Sequence, residues 1–586
     1  MSNTVSERVI DSVDGVRIAV YEEGKPAGPT LVMAHGWPDS HVLWDGVVPR
    51  LADRFRIIRY DNRGVGKSSV PKAVSAYTVA KMADDLGAVI AAVSPGEPVH
   101  VLGHDWGSVA TWEFLTRPGA SDRIASFTSV SGPSVDHYKA AIWSDLARPY
   151  RPVKFVRAVD RLLRLTYMFP LSIPLIAPAV VRALFSKRSN SLTDGVPDGQ
   201  RYRGATATTD AATTLKIYRA ITSENPRVYR DDHYVGIPVQ LIVNTKDPVV
   251  RPHGFDDESK WVARLWRRDI KSGHWAPMSH APMIARSVHE LVDFLEGKPA
   301  SRALLRAEVG RSRGDFGDTL VSVTGAGSGI GRETAFAFAR AGAELVVSDI
   351  NEASVKETAA KIVERGGIAH PYVLDVSDAE AVERFADQVC AEHGVPDIVV
   401  NNAGVGQAGE FLSTPDDQWE RVLDINLGGV VNGCRAFGRR LVERGAGGYI
   451  VNVSSMAAFA PLKTLNAYCT SKAAVYMFSD CLRAELDAAD IGLTAIFPGV
   501  IDTNIIQATR FDTTGRAGGN VEVRRRQFEK MFRQRSYGPD KVAKAILTAV
   551  KKKKPLRPVA PEAYMLYGTS RVAPQALRNT ARLKIV

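Results

Sequence analysis

The stretch Val99-His100-Val101-Leu102-Gly103-His104-Asp105-Trp106-Gly107 decides the fold of the first half of this 586-residue chain. An apolar run is followed by a small-residue turn and then by the helix-forming Ser108-Val-Ala-Thr-Trp-Glu-Phe-Leu115. Strand, sharp turn, helix is the pattern of a nucleophile elbow, which holds one side chain up at the edge of a sheet. Serine is the usual occupant, and here it is Asp105. A carboxylate at that point changes the reaction class, because it attacks a saturated carbon and leaves an alkyl ester instead of an acyl-enzyme.

Working outward, the chain is too long for one hydrophobic core and should hold two substantial domains. Apolar content of 45% and charged content of 24% are those of an ordinary globular protein. The net charge of +11 comes with no nucleic-acid motif. The excess gathers in Arg524-Arg525-Arg526 with Lys530, Arg533 and Arg535, and in Lys551-Lys552-Lys553-Lys554. Such clusters read first as solvated faces; anionic lipid, an acyl carrier or a phosphorylated substrate tail is the sharper alternative. Cys390, Cys434, Cys469 and Cys481 form no CxxC pair, which fits free thiols in a reducing compartment. The N-terminus shows no signal-peptide pattern, so the expected location is cytoplasmic, with peripheral membrane contact as the alternative. The apolar segment Phe169 to Val181 is too short to span a bilayer and contains Pro170, Pro174 and Pro178, so ordinary packing over the site is expected of it.

Residues 1–298 and 317–586 read as separate α/β units joined over 299–316 by a linker or a short connecting helix. In the first, strand–helix alternation breaks near Ser131 and resumes at Pro238-Val-Gln-Leu-Ile-Val. The helical, proline-interrupted stretch between, about 133–235, reads as a lid inserted into a parallel sheet. In the second, Leu320–Thr324, Glu344–Ser348, Ile398–Asn401, Gly448–Val453 and Thr494–Phe497 read as strands of a doubly wound Rossmann-type sheet.

Three motifs carry a resemblance in the first unit: His35-Gly36-Trp37-Pro38, the elbow at Asp105, and Ser272-Gly273-His274-Trp275, with Asp61-Asn62-Arg63-Gly64-Val65-Gly66-Lys67-Ser68 in support. Residues 1–298 resemble α/β-hydrolases of the epoxide hydrolase branch. The resemblance implies a triad of Asp105, Asp247 and His274 in that chain order. It implies that two lid tyrosines protonate the leaving oxygen; Tyr218 matches one, and Tyr167 the other, with Tyr202, Tyr150 and Tyr138 as competitors. Backbone N–H groups of Trp37 and Trp106 are expected to hold the oxyanion. Haloalkane dehalogenases are the rival, since they also use an aspartate nucleophile and need side-chain N–H donors for halide.

The second unit carries Thr324-Gly325-Ala326-Gly327-Ser328-Gly329-Ile330-Gly331 after a strand and before a helix, a setting that puts a pyrophosphate at a helix N-terminus. It resembles short-chain dehydrogenases/reductases over nearly its whole length. Gly325, Ser328, Gly329, Ile330 and Gly331 would cradle the cofactor, Asp349 would bond the ribose 2′-OH, Asp375 the adenine, and Asn402, Ala403, Gly404 and Thr503 would line the rest. A carboxylate at Asp349 repels a 2′-phosphate and no base stands at Ser328, so NAD(H) is expected over NADP(H). The catalytic set implied is Asn426, Ser455, Tyr468 and Lys472. Tyr468 and Lys472, four apart, share a helix face. The lysine is expected to lower the phenol pKa, and Asn426 to hold a relay water. No metal site is expected. The segment 505–540 is expected to form the substrate loop.

Fusion of these two units resembles a two-domain epoxide hydrolase type of mycobacteria, which implies lipid-like epoxides and an alcohol or ketone as substrates. A bifunctional enzyme is the main reading, with oligomer formation through the dehydrogenase unit. The alternatives are a dehalogenase-type hydrolase with an independent dehydrogenase, or a second unit that serves only oligomerisation or lipid binding.

Overall fold

The computed structural model describes residues 5–186, 204–230, 232–502, 509–511 and 537–580. Two compact units divide between Arg311 and Ser312.

The first unit is built on eight strands: β1 (Ser6–Asp11), β2 (Arg17–Gly24), β3 (Thr30–Ala34), β4 (Arg56–Tyr60), β5 (Val99–His104), β6 (Ile124–Val130), β7 (Val235–Asn244) and β8 (Val262–Ile270). They lie in the order β1-β2-β4-β3-β5-β6-β7-β8. β2 runs antiparallel to its neighbours β1 and β4, and from β4 onward the pairs are parallel. Every residue of β5 is buried, because helices cover both faces of a parallel sheet. The elbow follows directly, so Asp105 stands at the C-terminal edge of the central strands, where open α/β sheets carry their sites.

The expected lid is present. Helices from Val135 onward fill the gap between β6 and β7. Its polarity overturns the expected packing of Phe169 to Val181. Leu171, Ala177 and Val181 do pack inward with Trp106, Leu215 and Tyr218. Phe169, Ile173, Leu175, Ile176 and Val180, however, are exposed, Leu175 at 86%. Helix Pro152–Leu165 shows the same inversion: Arg161 is 2% exposed, while Val153, Val156 and Leu163 face out. The reason is a polar anchor. Arg161 pairs with Asp145 at 3.4 Å and bonds the His253 carbonyl, and Asp160 takes His253 Nε2 at 3.0 Å.

Of the linker or short connecting helix expected over 299–316, the helix forms. Ser301 caps a short helix, Arg302–Ala307, accepting the Leu304 N–H at 3.1 Å. Leu304 and Ala307 are buried against Trp266, Leu291 and Phe294. Glu308 bridges to Trp266 and the Val309 N–H donates to the Leu265 carbonyl at 2.9 Å. Two adjacent leucines are enough apolar surface to fold this stretch back onto β8.

The second unit has β9 (Leu320–Thr324), β10 (Glu344–Asp349), β11 (Ile368–Val373), β12 (Ile398–Asn401), β13 (Gln407–Ala408), β14 (Gly448–Val453), β15 (Ile491–Pro498), β16 (Arg510–Phe511) and β17 (Leu556–Val559). Seven of them form a wholly parallel sheet in the order β11-β10-β9-β12-β14-β15-β17, and β13 pairs with β16 separately. The order reverses at β9, which places the glycine loop at the switch point. The two outer strands, β11 and β17, are additions to the five read from the sequence. Each carries a proline, Pro371 and Pro558, tolerated because an edge strand need not donate every N–H.

One buried charge pair ties the first unit together below the elbow. Arg63 and Asp85 are both 1% exposed and joined by two bonds of 2.6 Å, and Arg63 also reaches Asp14 at 3.0 Å. Removing one partner leaves the other charge buried and unpaired. Arg63→Ala should therefore destabilise this unit by about 3–5 kcal/mol. Denaturant unfolding followed by tryptophan fluorescence measures it, since all nine tryptophans but Trp419 lie in this unit; an unchanged midpoint would show the pair to be dispensable.

Candidate active sites

Asp105 sits at φ 49° and ψ −123°, ahead of helix Trp106–Phe114. This strained backbone lifts the carboxylate clear of the strand and gives its two oxygens different surroundings. Oδ2 accepts the Trp37 N–H at 2.9 Å. The Trp106 N–H adds further hydrogen-bond stabilisation to the carboxylate. A Cβ at Gly36 would lie 2.4 Å from that same Oδ2, so only glycine lets Trp37 approach. Oδ1 instead faces His274 Nε2 at 3.8 Å. The two N–H donors thus point where one oxygen of a tetrahedral centre on Asp105 would carry charge.

His274 Nδ1 donates to Asp247 Oδ2 at 2.8 Å, and Asp247 Oδ1 accepts the N–H groups of Val249 and Val250 at 2.7 and 3.0 Å. The three residues expected as a triad are therefore brought together. The other histidines of this part of the chain are engaged elsewhere: His253 bonds Asp160, His280 bonds Ser279 and His289 bonds the Arg50 carbonyl. Burial alone would depress the His274 pKa, but Asp247 and Asp105 hold it up at about 9. Burial raises Asp247, yet His274 and the two backbone N–H groups pull it below its ordinary value. Burial pushes Asp105 up, against the pull of His274 and of the Trp37 and Trp106 N–H groups.

Of the candidate lid tyrosines, Tyr167 and Tyr218 meet edge to face, with centroids 5.9 Å apart. Tyr218 also stands 5.3 Å from the Trp37 ring and 5.6 Å from the Trp106 ring. Tyr150 is exposed, Tyr138 packs against Gly254, and Tyr202 lies outside the described residues. Burial raises both lid phenols, and the charge of Asp105 raises them further, so both keep their protons at neutral pH. The two tryptophans differ in a way the sequence did not reveal: Trp37 Nε1 donates to the Ala211 carbonyl at 2.9 Å, whereas the buried Trp106 indole is turned to the Tyr218 phenol.

In the second unit a cavity of about 670 Å³ is lined by Gly325, Ser328, Gly329, Ile330, Asp349, Asp375, Asn402, Ala403, Gly404, Ser455, Tyr468 and Lys472. Gly325 and Gly329 have φ of 64° and 52°. Gly331 is not in the lining; a Cβ there would meet the Gly325 carbonyl at 2.1 Å, so its role is to close the loop on the helix. Asp349 Oδ2 accepts the Gly327 N–H at 2.8 Å, which fixes the carboxylate beside the loop. Asp375 is held by Ser377, and Asn402 by the Thr324 and Gly325 carbonyls. Open glycine backbone, a helix N-terminus and a carboxylate at the end of β10 suit a dinucleotide. Thr503, most of the expected substrate loop and the Arg524–Arg535 cluster lie outside the described residues.

Ser455 is the serine at Tyr468, and its hydroxyl bonds the phenol. Its neighbour Ser454 is spent on the Lys472 carbonyl at 2.7 Å. Lys472 Nζ lies 5.9 Å from the Tyr468 ring centroid and donates to the Val453 carbonyl at 3.1 Å. One expectation is revised. Burial raises the Tyr468 phenol, and it is Lys472 whose pKa burial lowers, to about 8. Asn426 sits in a π-helical turn, Asp424–Gly428, with its amide committed to the Val405 N–H at 2.8 Å, the Val405 carbonyl at 3.0 Å and Ser471 at 3.1 Å. Its side chain positions the loop after β12 with both Nδ2 protons given, and a second lone pair of Oδ1 remains.

Comparison with known proteins follows this division. The model of the alpha/beta hydrolase fold matches residues 29–281, and that of the short chain dehydrogenase matches residues 319–513. A protein named probable oxidoreductase EphD, from Mycobacterium tuberculosis, is 66% identical over 585 residues and covers 99% of each chain. D-threitol dehydrogenase of Mycolicibacterium smegmatis is 40% identical over 185 residues, 31% of this chain and 70% of its own. A solved short chain dehydrogenase/reductase from Burkholderia phymatum, in complex with NAD, is 25% identical with a TM-score of 0.41, covering 46% of this chain and 98% of that one. The dehydrogenase domain implies a nicotinamide cofactor, and the pairing of the two domains is that of a bifunctional enzyme. Because the first of these relatives matches end to end, the chain belongs to the EphD family, in which an alpha/beta hydrolase domain precedes a short-chain dehydrogenase/reductase domain.

Proposed function

We propose that the first domain hydrolyses epoxides to vicinal diols through an ester on Asp105. The observation that carries this reading is the pairing of an oriented carboxylate with two phenols: Oδ2 is held by the Trp37 N–H, Oδ1 is left to attack, and Tyr167 and Tyr218 meet in the lid. Attack on an epoxide carbon breaks a C–O bond, and a protonated phenol receives the developing alkoxide. Both phenols have raised pKa values, so they arrive as O–H donors. In the second step His274 takes a proton from water, and the hydroxide adds to the ester carbonyl, whose oxygen charges toward the Trp37 and Trp106 N–H groups.

His274 is a cation when the nucleophile is free, since its pKa stands at about 9. Esterification cancels the charge of Asp105, one of the two anions supporting that proton. The first step thereby turns the imidazole into the base that the second step needs.

A dehalogenase is the second reading, favoured by the indole of Trp106 next to the nucleophile. Halide capture takes a pair of such donors, and Trp37 Nε1 is already given to Ala211.

The second domain, in this proposal, interconverts an alcohol and a ketone with NAD(H). Ser455 orients the substrate oxygen, Tyr468 exchanges its proton, and Lys472 holds the ribose side and relays charge. A nicotinamide held by the glycine loop, Asn402 and Lys472 would supply the hydride acceptor or donor, and Tyr468 would hold or release the proton at the substrate oxygen. Asp349, fixed by Gly327, would bond a ribose 2′-OH and repel a 2′-phosphate.

Incubation with an aliphatic epoxide and with a haloalkane separates the two hydrolase readings: diol formation without halide release is expected, and halide release with no diol would reverse the assignment. Asp105→Asn should abolish either reaction. The ester should be visible by mass spectrometry on the peptide holding Asp105 after acid quench. Its steady-state level should be highest at low pH, where His274 stays protonated, and should fall as pH rises; a level independent of pH would remove His274 as the base. For the second domain, Asp349→Ala should shift the ratio of kcat/KM for NAD over NADP by about tenfold or more toward NADP, equivalent to roughly 1.4 kcal/mol. An unchanged ratio would show that Asp349 does not select the cofactor.

A further inference from the structure

We infer that the lid of the first domain docks on a lipid bilayer that carries anionic headgroups, through the outward face of helices Pro152–Leu165 and Ile176–Ser186 and the turn between them. An amphipathic helix on a globular protein turns its apolar stripe to the core and its charges to water. Helix Pro152–Leu165 departs from that pattern at several positions. Its buried positions are Ala158 and Arg161, the latter tied to Asp145 and His253, while Val153, Val156 and Leu163 point outward. Val153, Val156 and Leu163 fall at helical spacing on one side. Helix Ile176–Ser186 presents Ile176, Val180 and Leu184, spaced four apart, also exposed. Phe169 and Leu175 stand exposed between the two helices, which are bent by 97° at the break. Among the described residues no single helix is long and apolar enough to cross a membrane, and this bent pair reaches that length and apolarity only when taken together.

Charge selects the partner. Residues 146–184 hold seven basic side chains, Arg148, Arg151, Lys154, Arg157, Arg161, Arg164 and Arg182, and one acidic, Asp160. Asp256 and Asp257 answer Arg157 and Lys154 from outside the segment, while Arg148, Arg151 and Arg182 remain exposed. Exposed apolar groups ringed by cations suit a bilayer with anionic headgroups. A second copy pairing face to face would set the same cations against each other. Tyr167 lies within this segment, so, on the epoxide reading above, the docked face would bring a membrane-dissolved epoxide to the lid beside its proton donor.

Flotation of the full chain with vesicles of phosphatidylcholine and phosphatidylglycerol, two to one, tests the docking without reference to any activity. The wild type should float with the mixed vesicles, and about tenfold less with pure phosphatidylcholine. Leu163→Asp combined with Leu175→Asp should lose binding by about tenfold or more at an unchanged melting temperature. If the aspartates lower the melting temperature, Leu163→Ser with Leu175→Ser repeats the comparison. Equal flotation of variant and wild type, or none by either, overturns the proposal. So does a wild-type dimer in sedimentation velocity that the variant splits, which would give this face to a second copy. Diol formation from a water-soluble epoxide, assayed separately, fails only if the proposed chemistry fails.

Discussion

The chemistry of the first domain depends on one close approach, the Trp37 N–H to Asp105 Oδ2 at 2.9 Å. Adjacent parallel strands bring the two turns together, with Ala34 of β3 opposite Gly103 of β5. Gly36 leaves out the Cβ that would occupy the carboxylate's place. Asp105 accepts a positive φ, a conformation that costs an aspartate on the order of 1–3 kcal/mol. Packing of the wholly buried β5 and of helix Trp106–Phe114 offsets that cost. What results is asymmetry within one carboxylate: an oxygen that is held and an oxygen that is free. A serine in the same turn could not be divided in this way.

The second domain solves a related problem with an amide. Asn426 takes both the N–H and the carbonyl of Val405 and so pins the loop after β12 to a π-helical turn. Widened turns of this kind recur at functional sites because they free backbone groups that a regular helix would consume. Lys472, buried and at reduced pKa, stands on the next layer with Tyr468, and Ser471 links that helix back to Asn426. The loop, the turn and the catalytic helix are therefore a single hydrogen-bonded assembly.

Much of this was legible in the sequence because it is local. The elbow, the glycine loop and the Tyr468–Lys472 spacing are each written within a few residues, and local context together with the chain order that the resemblance implies assigned Asp247 and His274. The misreadings share a different origin. Arg161 faces inward because Asp145 and His253, far from it in sequence, receive it, and periodicity cannot show that. The outer strands β11 and β17 are short and carry prolines, so neither alternation nor apolar run marks them. The pKa of Tyr468 follows from how completely it is desolvated, a property of the folded cavity rather than of the lysine four residues on.

The stretch after residue 298 has a consequence for how the two activities can be separated. Ser301, Leu304 and Ala307 belong structurally to the first domain, where Leu304 covers Trp266 and Leu291. A hydrolase half ended at the last long helix would uncover an indole and a leucine and leave the outer edge of β8 unpaired, an invitation to edge-to-edge association. One ended beyond Val309 keeps both covered. Evolution joined these domains by lending the first of them the opening residues of the join, so the point of fusion is also a closing piece of the hydrolase core.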